Sequence, residues 1–372
     1  MLYKENWDAA KNRWNAYWKQ ANTGRPLLCL IGIKPDAERL PEKMQPANLY
    51  ERYRDAGQIV ARYRHFCDNH VFLADSFPNL SVDFGPGSIA GYLGSEIVFH
   101  DDTVWFSHCV EDWKDFPDLV FNPENKWWKE HYRLIKDVRA LAGDDFYIGI
   151  PDLMENIDIL ASMRGVQDMI FDMVDEPDEV ARRIRQVSDA YFEYYDRFYD
   201  LVKSGKDGGS CYTVFQIWGN GRTAKLQCDF SALMSPQNFR ELIQQPLREQ
   251  ARRLDNVLYH LDGPDAIKHT GALMEIKEID ALQWTSGDHG PDGTLEDWDV
   301  IYDQVRRAGK SIWVKVYSGG YDDWIRGAER VVMKYGSRGL FFHFPSMPEE
   351  QARRLLEYAD RNWSDIEGTF TW

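Results

Sequence analysis

Short apolar runs alternate along this chain with longer amphipathic stretches. The apolar runs are rich in β-branched and aromatic residues, which is typical of strands buried on both faces. Eight of them are predicted as parallel strands, at residues 27–33, 70–74, 146–150, 211–217, 257–261, 280–284, 311–316 and 339–344. Helical periodicity fills the gaps, at residues 50–68, 124–141, 177–204, 235–254, 265–277, 295–308, 322–335 and 348–362. The alternation predicts one α/β domain over residues 1–372, a (β/α)8 TIM barrel.

Two segments are additional to the strands and helices that a minimal barrel needs. Residues 1–24 carry Trp7, Trp14 and Trp18 at helical spacing, which predicts an extra N-terminal helix that packs on the barrel. Residues 76–123 form a long insertion after the second strand. An insertion at the carboxyl end of a barrel strand is expected to cover the functional site.

Composition excludes several classes of function. The formal net charge of −16 disfavours binding to nucleic acid or to an anionic membrane surface. The five cysteines are scattered without a CxxC pair, residues 1–14 contain no apolar h-region, and no apolar run reaches membrane-spanning length. P-loop, GxGxxG, HExxH and GxSxG motifs are absent. We therefore expect a soluble, cytoplasmic protein that acts on a small molecule, and a homodimer is a candidate assembly.

Polar residues follow the predicted strands, where barrel enzymes place their sites. The candidate catalytic residues are Asp75, Asp152, Glu155, Asp262 and Lys315. The candidate substrate-binding residues are Trp218, Trp284, Tyr317, Asp288 and His289. Each has a structural alternative, since a carboxylate can cap a turn and a tryptophan can fill the top of a barrel.

His260 and Asp262 form the most specific pair. Residues two apart on a strand point to the same face, so an imidazole and a carboxylate are expected to converge inside the barrel. His343 ends the eighth predicted strand and, taken alone, is as compatible with a satisfied core histidine as with a functional one.

Four segments of the chain resemble the uroporphyrinogen decarboxylase superfamily. FLADSFPNLSVDFGPGSIAGYLG is similar to its second strand exit, and QCDFSALMSPQNFRELIQQPLREQARRL is similar to its acidic SP-x-x-F stretch with a proline-containing helix. VLYHLDGPDAIKHTGALMEIKEIDALQW resembles its fifth-strand block, and GLFFHFPSMPEEQARRLLEYA its closing strand and helix. The resemblance covers the chain from about Arg25 onward and implies a TIM barrel.

This superfamily contains porphyrinogen decarboxylases and zinc-dependent methyltransferases that work with corrinoid proteins. The decarboxylases carry an arginine-rich block after the first strand. Here Arg25 survives before that strand, but the run continues LLCLIGIKPDA without those arginines, and Lys34 is the only cation nearby. The methyltransferases bind zinc with a His-x-Cys pair on strand five and a cysteine after strand eight. The matching positions here are His260, Asp262 and the neighbourhood of His343, so the resemblance implies a zinc site of these three residues.

Three hypotheses remain open. The first is an enzyme of methyl transfer or demethylation, with zinc as cofactor and a corrinoid protein as partner. The second is a carbohydrate-active hydrolase, in which Asp152 or Glu155 pairs with Asp262 as acid and base or nucleophile. The third is a barrel that binds a ligand without catalysis.

Overall fold

The computed structural model describes residues 1–206, 208–287 and 290–371. Its strands, labelled in chain order, are β1 Leu27–Ile33, β2 His70–Ala74, β3 Asn79–Leu80, β4 Ile97–Phe99, β5 Val104–Phe106, β6 Tyr147–Ile148, β7 Ser210–Tyr212, β8 Ile217–Gly219, β9 Thr223–Gln227, β10 Asn256–Asp262, β11 Ala281–Thr285, β12 Ser311–Lys315, β13 Leu340–His343 and β14 Met347–Pro348.

Helices occupy most of the chain between the strands. They are α1 Trp7–Trp18, α2 Leu49–Tyr53, α3 Ala56–Asp68, α4 Ile89–Leu93, α5 Lys126–Ala142, α6 Asn156–Arg164, α7 Val166–Asp175, α8 Pro177–Val202, α9 Pro236–Asn238, α10 Gln244–Ala251, α11 Thr270–Met274, α12 Asp299–Arg307, α13 Tyr321–Tyr335 and α14 Glu349–Asn362. A π-helical turn, Phe239–Ile243, joins α9 to α10. The 3-10 turns are Glu42–Met44, Thr213–Phe215, Asp229–Leu233, Pro264–His269 and Glu296–Trp298.

The central sheet has the order β14-β1-β13-β12-β11-β10-β9, and every pair along this path is parallel. The strands alternate with helices, and their apolar side chains are buried from both faces. The predicted α/β class with a mostly parallel sheet flanked by helices is therefore confirmed, and the arrangement is compatible with a barrel. Pairing within the described residues does not close this sheet, because β3 and β6 form a separate parallel pair.

Two predicted strands differ from the structure. Residues 70–74 form β2 as expected, but β2 runs antiparallel to β1, with Ala74 opposite Cys29. Residues 211–217 are not one parallel strand. The 3-10 turn Thr213–Phe215 interrupts them, Gln216 has a φ of 52°, and β7 and β8 pair as an antiparallel hairpin.

Besides β11, β10 pairs in parallel with β9. The sequence pattern does not predict β9, because its residues do not form an apolar run. Its sequence TAKLQ places polar side chains at alternate positions, and all five residues are buried. The polar side chains of this strand can be buried because they form hydrogen bonds and ion pairs with polar groups from other parts of the chain. The pattern of a single sequence does not reveal those partners.

The N-terminal helix α1 packs against the amino-terminal ends of the parallel strands. Trp7, Trp14 and Trp18 are buried, and the Trp18 indole donates to the Trp218 carbonyl at 2.9 Å. The Ser311 hydroxyl, at the start of β12, donates to the Tyr17 carbonyl at 2.7 Å. This end of the sheet is therefore filled by aromatic side chains.

The segment 76–123 contains β3, α4 and the antiparallel hairpin β4–β5. The hairpin carries Trp105 and Phe106, of which Trp105 is 64% exposed. Within the part of the chain that the structure describes, no helix combines the length and apolar character needed to cross a lipid bilayer.

Candidate active site

Lys225 lies at the centre of a buried polar cluster. It points inward from β9, and its Nζ lies 2.8 Å from Asp152 Oδ1 and also donates to Gln227 Oε1. The Tyr212 hydroxyl donates to the same Asp152 oxygen at 2.6 Å. Burial by itself lowers the pKa of Lys225, but the carboxylates of Asp152 and Glu155 outweigh it and raise the pKa above its ordinary value. The amine is therefore charged at neutral pH.

Three further carboxyl groups surround this ion pair, and we call Asp83, Asp152, Glu155 and Asp158 the carboxyl cluster. Glu155 is fully buried, and its Oε1 accepts the Gln227 amide at 2.5 Å. Its Oε2 has no hydrogen-bond partner among the described residues. Burial raises the pKa of Glu155 well above its usual range, against the opposing effect of the Lys225 charge.

Asp158 and Asp83 are held by backbone amides. The two carboxylate oxygens of Asp158 accept the amides of Asp229 and Phe230, each at 2.9 Å. Burial, and then the Asp229 charge, raise the pKa of Asp158 to about 7. Asp83 Oδ2 accepts the Asp152 amide at 2.7 Å, and burial followed by the Asp152 charge raises the pKa of Asp83 to about 8. The carboxyl cluster thus holds two acids, Asp83 and Asp158, whose pKa values lie near neutral pH.

Asp229, His260 and Asp262 form the second feature, which we call the metal-binding group because three such side chains could hold a metal ion. One candidate ligand atom of each residue lies within 4.8 Å of the corresponding atoms of the other two. His260 and Asp262 lie at the carboxyl end of β10, and Asp229 begins the turn after β9. Burial and then the Lys225 charge lower the pKa of His260 to about 4, so its imidazole is neutral and keeps a lone pair.

Gln283 orients the His260 ring. Its amide nitrogen donates to the Trp284 carbonyl at 2.7 Å and to the Thr285 hydroxyl at 2.8 Å, which turns Oε1 toward His260 Nδ1. His260 Nδ1 must then carry the proton and donate it to this oxygen, which leaves Nε2 as the nitrogen with the free lone pair. Asp262 Oδ1 is also buried without a partner among the described residues.

A cavity of about 410 Å³ opens beside these groups, and we call it the site cavity. Asp158 and Asp229 lie in its wall, and burial raises the pKa of Asp229 to about 6. The rest of the wall is mainly apolar, and the β4–β5 hairpin supplies Trp105 and Phe106 to it. Asp229 is reached by solvent through this cavity although protein surrounds it on most sides.

No protein-family profile matches the sequence, and a search of curated proteins finds no match. A solved structure does match. The chain is similar in fold to a methyltransferase from Methanosarcina mazei, with a TM-score of 0.60 and 13% sequence identity over 94% of this chain and 98% of the other. At this level of identity the likeness establishes a shared fold.

The structure brings several predicted residues together. Asp152 and Glu155 both flank Lys225, and His260 and Asp262 share the metal-binding group. Lys315, Tyr317 and Trp284 line a neighbouring cavity of about 320 Å³ at the carboxyl ends of β11 and β12. In this second cavity the Lys315 amine lies 5.5 Å from the centre of the Tyr317 ring.

Other predicted residues lie elsewhere. Asp75 lies near the amino-terminal end of β1, because β2 is antiparallel, and its carboxylate contacts Arg25 at 2.6 Å and Arg13 at 2.8 Å. Trp218 belongs to the β7–β8 hairpin and packs under α1, 5.3 Å from the ring of Trp7.

His343 is not a member of the metal-binding group. Its ring stacks on Trp313 at 5.5 Å, and β13 is separated from β10 by β11 and β12. Asp229 occupies the third position that the resemblance had implied for His343. The predicted residues Asp288 and His289 lie outside the described residues.

Sequence reasoning missed six residues of this site: Asp83, Asp158, Lys225, Gln227, Asp229 and Gln283. The signal that could have found Lys225 and Gln227 is the polar alternation in TAKLQ, which is typical of a strand with one polar face. A second signal of a site at the end of this strand is the acidic residue Asp229, two positions beyond Gln227.

Proposed function

We propose that this protein is a uroporphyrinogen-decarboxylase-like enzyme that transfers or removes a methyl group on a small molecule, in the manner of corrinoid-linked methyltransferases. The observation that carries the proposal is the convergence of Asp229, His260 and Asp262 within 4.8 Å at the carboxyl ends of β9 and β10. The fold shared with a methyltransferase over 94% of the chain is consistent with this chemistry.

The metal-binding group fits a divalent cation. One neutral imidazole and two carboxylates match the donor preference of zinc, and the unpartnered Asp262 Oδ1 and the free His260 Nε2 are the atoms that a cation would satisfy. Bound zinc supplies Lewis acidity that lowers the pKa of a coordinated thiol or water. Thiolate ligands are replaced by carboxylates here, so the site is harder than a His-Cys-Cys site.

The remaining groups would bind and position the substrate. The apolar walls around Trp105 would exclude water from its non-polar part. Asp158, with a pKa of about 7, would hold or release a proton at neutral pH. The charged Lys225 would hold the Asp152 side chain in place through their ion pair.

The finer fold proposal is a closed (β/α)8 barrel. The Ile150 amide donates to the Cys211 carbonyl at 2.9 Å and the Gly149 amide to the Leu80 carbonyl at 3.0 Å. These bonds link β3, β6 and β7 into a wall, and β7 lies beside β9. This wall would occupy the space between the two edges of the central sheet.

Metal analysis tests the proposal. Protein purified from zinc-supplemented cells is expected to hold about one equivalent, and His260→Ala and Asp262→Asn are expected to lose it. His343→Gln is the matched control, because His343 is a half-buried histidine outside the group, and it should retain the metal. Wild-type protein with less than about one-tenth equivalent of any transition metal would contradict the metal site.

Activity is tested separately. Purified metal-loaded protein is incubated with methylcobalamin and a panel of thiols, and demethylation of the corrinoid is followed by its absorbance. A rate that requires His260 and Asp262 supports methyl transfer. Full metal occupancy with no rate above the apoprotein for any thiol would reject this reaction while leaving the metal site intact.

One observation favours a second candidate, a hydrolase with paired carboxylates. Oxygens of Asp229 and Asp262 lie within 4.8 Å, near the roughly 5 Å carboxyl separation of retaining glycosidases, and the adjacent cavity has an aromatic wall. Release of nitrophenol from a panel of nitrophenyl glycosides measures this activity. Turnover that persists in chelator-treated protein would favour it over the metal-dependent reaction.

A further inference from the structure

Arg306 is a buried cation at the end of the sheet opposite to the candidate active site. It lies in the last turn of α12, just before β12 begins, and is 3% exposed. Its guanidinium donates to the backbone carbonyls of Arg338 at 2.6 Å and Lys310 at 3.4 Å. Its Nε has no partner among the described residues.

No carboxylate within the described ranges forms an ion pair with Arg306. The titratable side chains that face it are the phenols of Tyr17 and Tyr335, and burial lowers its pKa to about 10. Backbone carbonyls satisfy individual N–H groups but do not neutralise a full charge, and buried charges in proteins are normally paired. Arg306 therefore lacks the anion that its burial requires.

A cavity of about 600 Å³ lies against this guanidinium, and we call it the basal cavity. Arg306 and the exposed Arg338 both line it. The C-terminal tail forms one wall, fixed by bonds from the Ser337 amide to the Ile366 carbonyl at 2.9 Å and from the Phe370 amide to the Lys334 carbonyl at 2.8 Å. Hydrogen-bonded backbone therefore fixes this wall of the cavity.

A second buried donor lies beside Arg306. The hydroxyl of Tyr17 belongs to a fully buried side chain and has no partner among the described residues. Tyr17 is close enough for the Arg306 charge to lower its pKa against the stronger effect of burial, which raises it. Tyr17 does not itself line the basal cavity, so its hydroxyl adds a second unpartnered donor to the surroundings of Arg306 and is not counted among the ligands of an anion.

Two carboxylates also line the basal cavity. Asp365 is turned toward the N-terminal segment, where its Oδ1 accepts the Gly24 amide at 2.8 Å. Glu367 is exposed at the rim. Glu367 lowers the positive potential of the cavity without neutralising Arg306, so its removal is expected to strengthen anion binding.

We propose that the basal cavity binds the phosphate or carboxylate group of a small molecule, with Arg306 and Arg338 as its cationic ligands. This site is separate from the candidate active site, because the two lie at opposite ends of the parallel strands. The volume admits a small molecule that carries the anionic group and not only the bare ion.

Isothermal titration calorimetry tests this proposal, with inorganic phosphate and citrate as probes at an ionic strength held constant with chloride. Saturable binding of one equivalent is expected for at least one probe, and the tighter probe identifies the anionic group. His260→Ala should bind the probe unchanged, since it alters only the opposite end of the sheet. Absence of saturable binding of both probes would overturn the proposal.

Variants at the two exposed positions locate the site. Arg338→Gln should weaken binding about tenfold, the value of one charge-assisted hydrogen bond. Glu367→Gln should strengthen it several-fold, and Arg326→Gln, an exposed arginine on α13, should leave it unchanged. Arg306→Gln removes a buried group, so its affinity for the probe is interpreted only if the variant folds. An affinity that responds to neither Arg338→Gln nor Glu367→Gln would show an adventitious ion only and would overturn the assignment.

Discussion

Lys225 Nζ lies 2.8 Å from Asp152 Oδ1, and the two side chains are only 1% and 10% exposed. This ion pair joins the middle of β9 to the loop that follows β6, so it fixes the two halves of the candidate active site relative to each other. Gln227 contacts Lys225 directly, and Glu155 accepts the backbone amide of Gln227 beside it. Four predictions follow from this site and from the docking of α1.

Lys225→Met should destabilise the protein by about 3–5 kcal/mol, because it leaves Asp152 buried without its cation. Lys225→Met combined with Asp152→Asn should cost less than the sum of the two single changes, since the double variant leaves no unpaired charge. Urea unfolding of the four proteins measures this coupling. Lys315→Met, which removes an exposed lysine, is the control and should change stability little. Additive losses would contradict the pairing.

Asp83→Asn should change how stability depends on pH. Burial and the Asp152 charge raise the pKa of Asp83 from 3.8 to about 8 in the folded protein. Between pH 4 and 8 the folded state therefore binds a proton that the unfolded state releases, so the free energy of unfolding falls as the pH rises through this window. The asparagine can still accept the Asp152 amide but does not titrate.

The measurement for Asp83 is the melting temperature across the pH range 4–9. The variant should be more stable than the wild type at pH 8–9, on the order of 1–3 kcal/mol, and the difference should shrink toward pH 4. A parallel loss of stability at every pH would instead assign Asp83 a purely geometric role.

Gln283→Leu should weaken metal binding about 10–100-fold, because Gln283 holds the His260 ring through Nδ1 and leaves Nε2 for the cation. Gln283→Glu keeps an oxygen acceptor and should retain most of the affinity. Competition with a chromophoric chelator measures both. Equal affinity of the leucine variant and the wild type would mean that the ring is oriented by other contacts.

Asp75→Asn should destabilise the fold by about 3–5 kcal/mol without changing metal content. Its carboxylate contacts Arg25 and Arg13 and accepts the Leu28 amide at 3.0 Å. Burial alone would raise the pKa of Asp75, but the two arginines hold it below its ordinary value. Its stabilising contribution is therefore present above the ordinary pKa and is lost as the pH falls through the folded value.

Unfolding curves at neutral and acidic pH, combined with metal analysis, check the role of Asp75. The stability gap between variant and wild type should narrow as the pH falls. A variant that folds normally but loses its metal would instead place Asp75 in the candidate active site, as the sequence had suggested.

The sequence by itself determined the α/β class and most of the parallel sheet. The strands at residues 27–33, 257–261, 280–284, 311–316 and 339–344 were predicted from their apolar runs, and the structure has strands there with bounds within one or two residues. These runs are unambiguous because a strand covered on both faces needs apolar side chains at nearly every position. His260 and Asp262 were paired for an equally local reason, the two-residue period of a strand.

Only the tertiary structure decided the rest. The direction of β2 moved Asp75 to the opposite end of the sheet, and the break at Gln216 made a hairpin of a predicted strand. Lys225 is stable inside the protein because Asp152, Tyr212 and Gln227 meet it from other parts of the chain. Asp229, and not His343, completes the metal-binding group, because strand order sets which side chains meet. Strand pairing and the partners of buried charges are long-range properties, and local periodicity does not contain them.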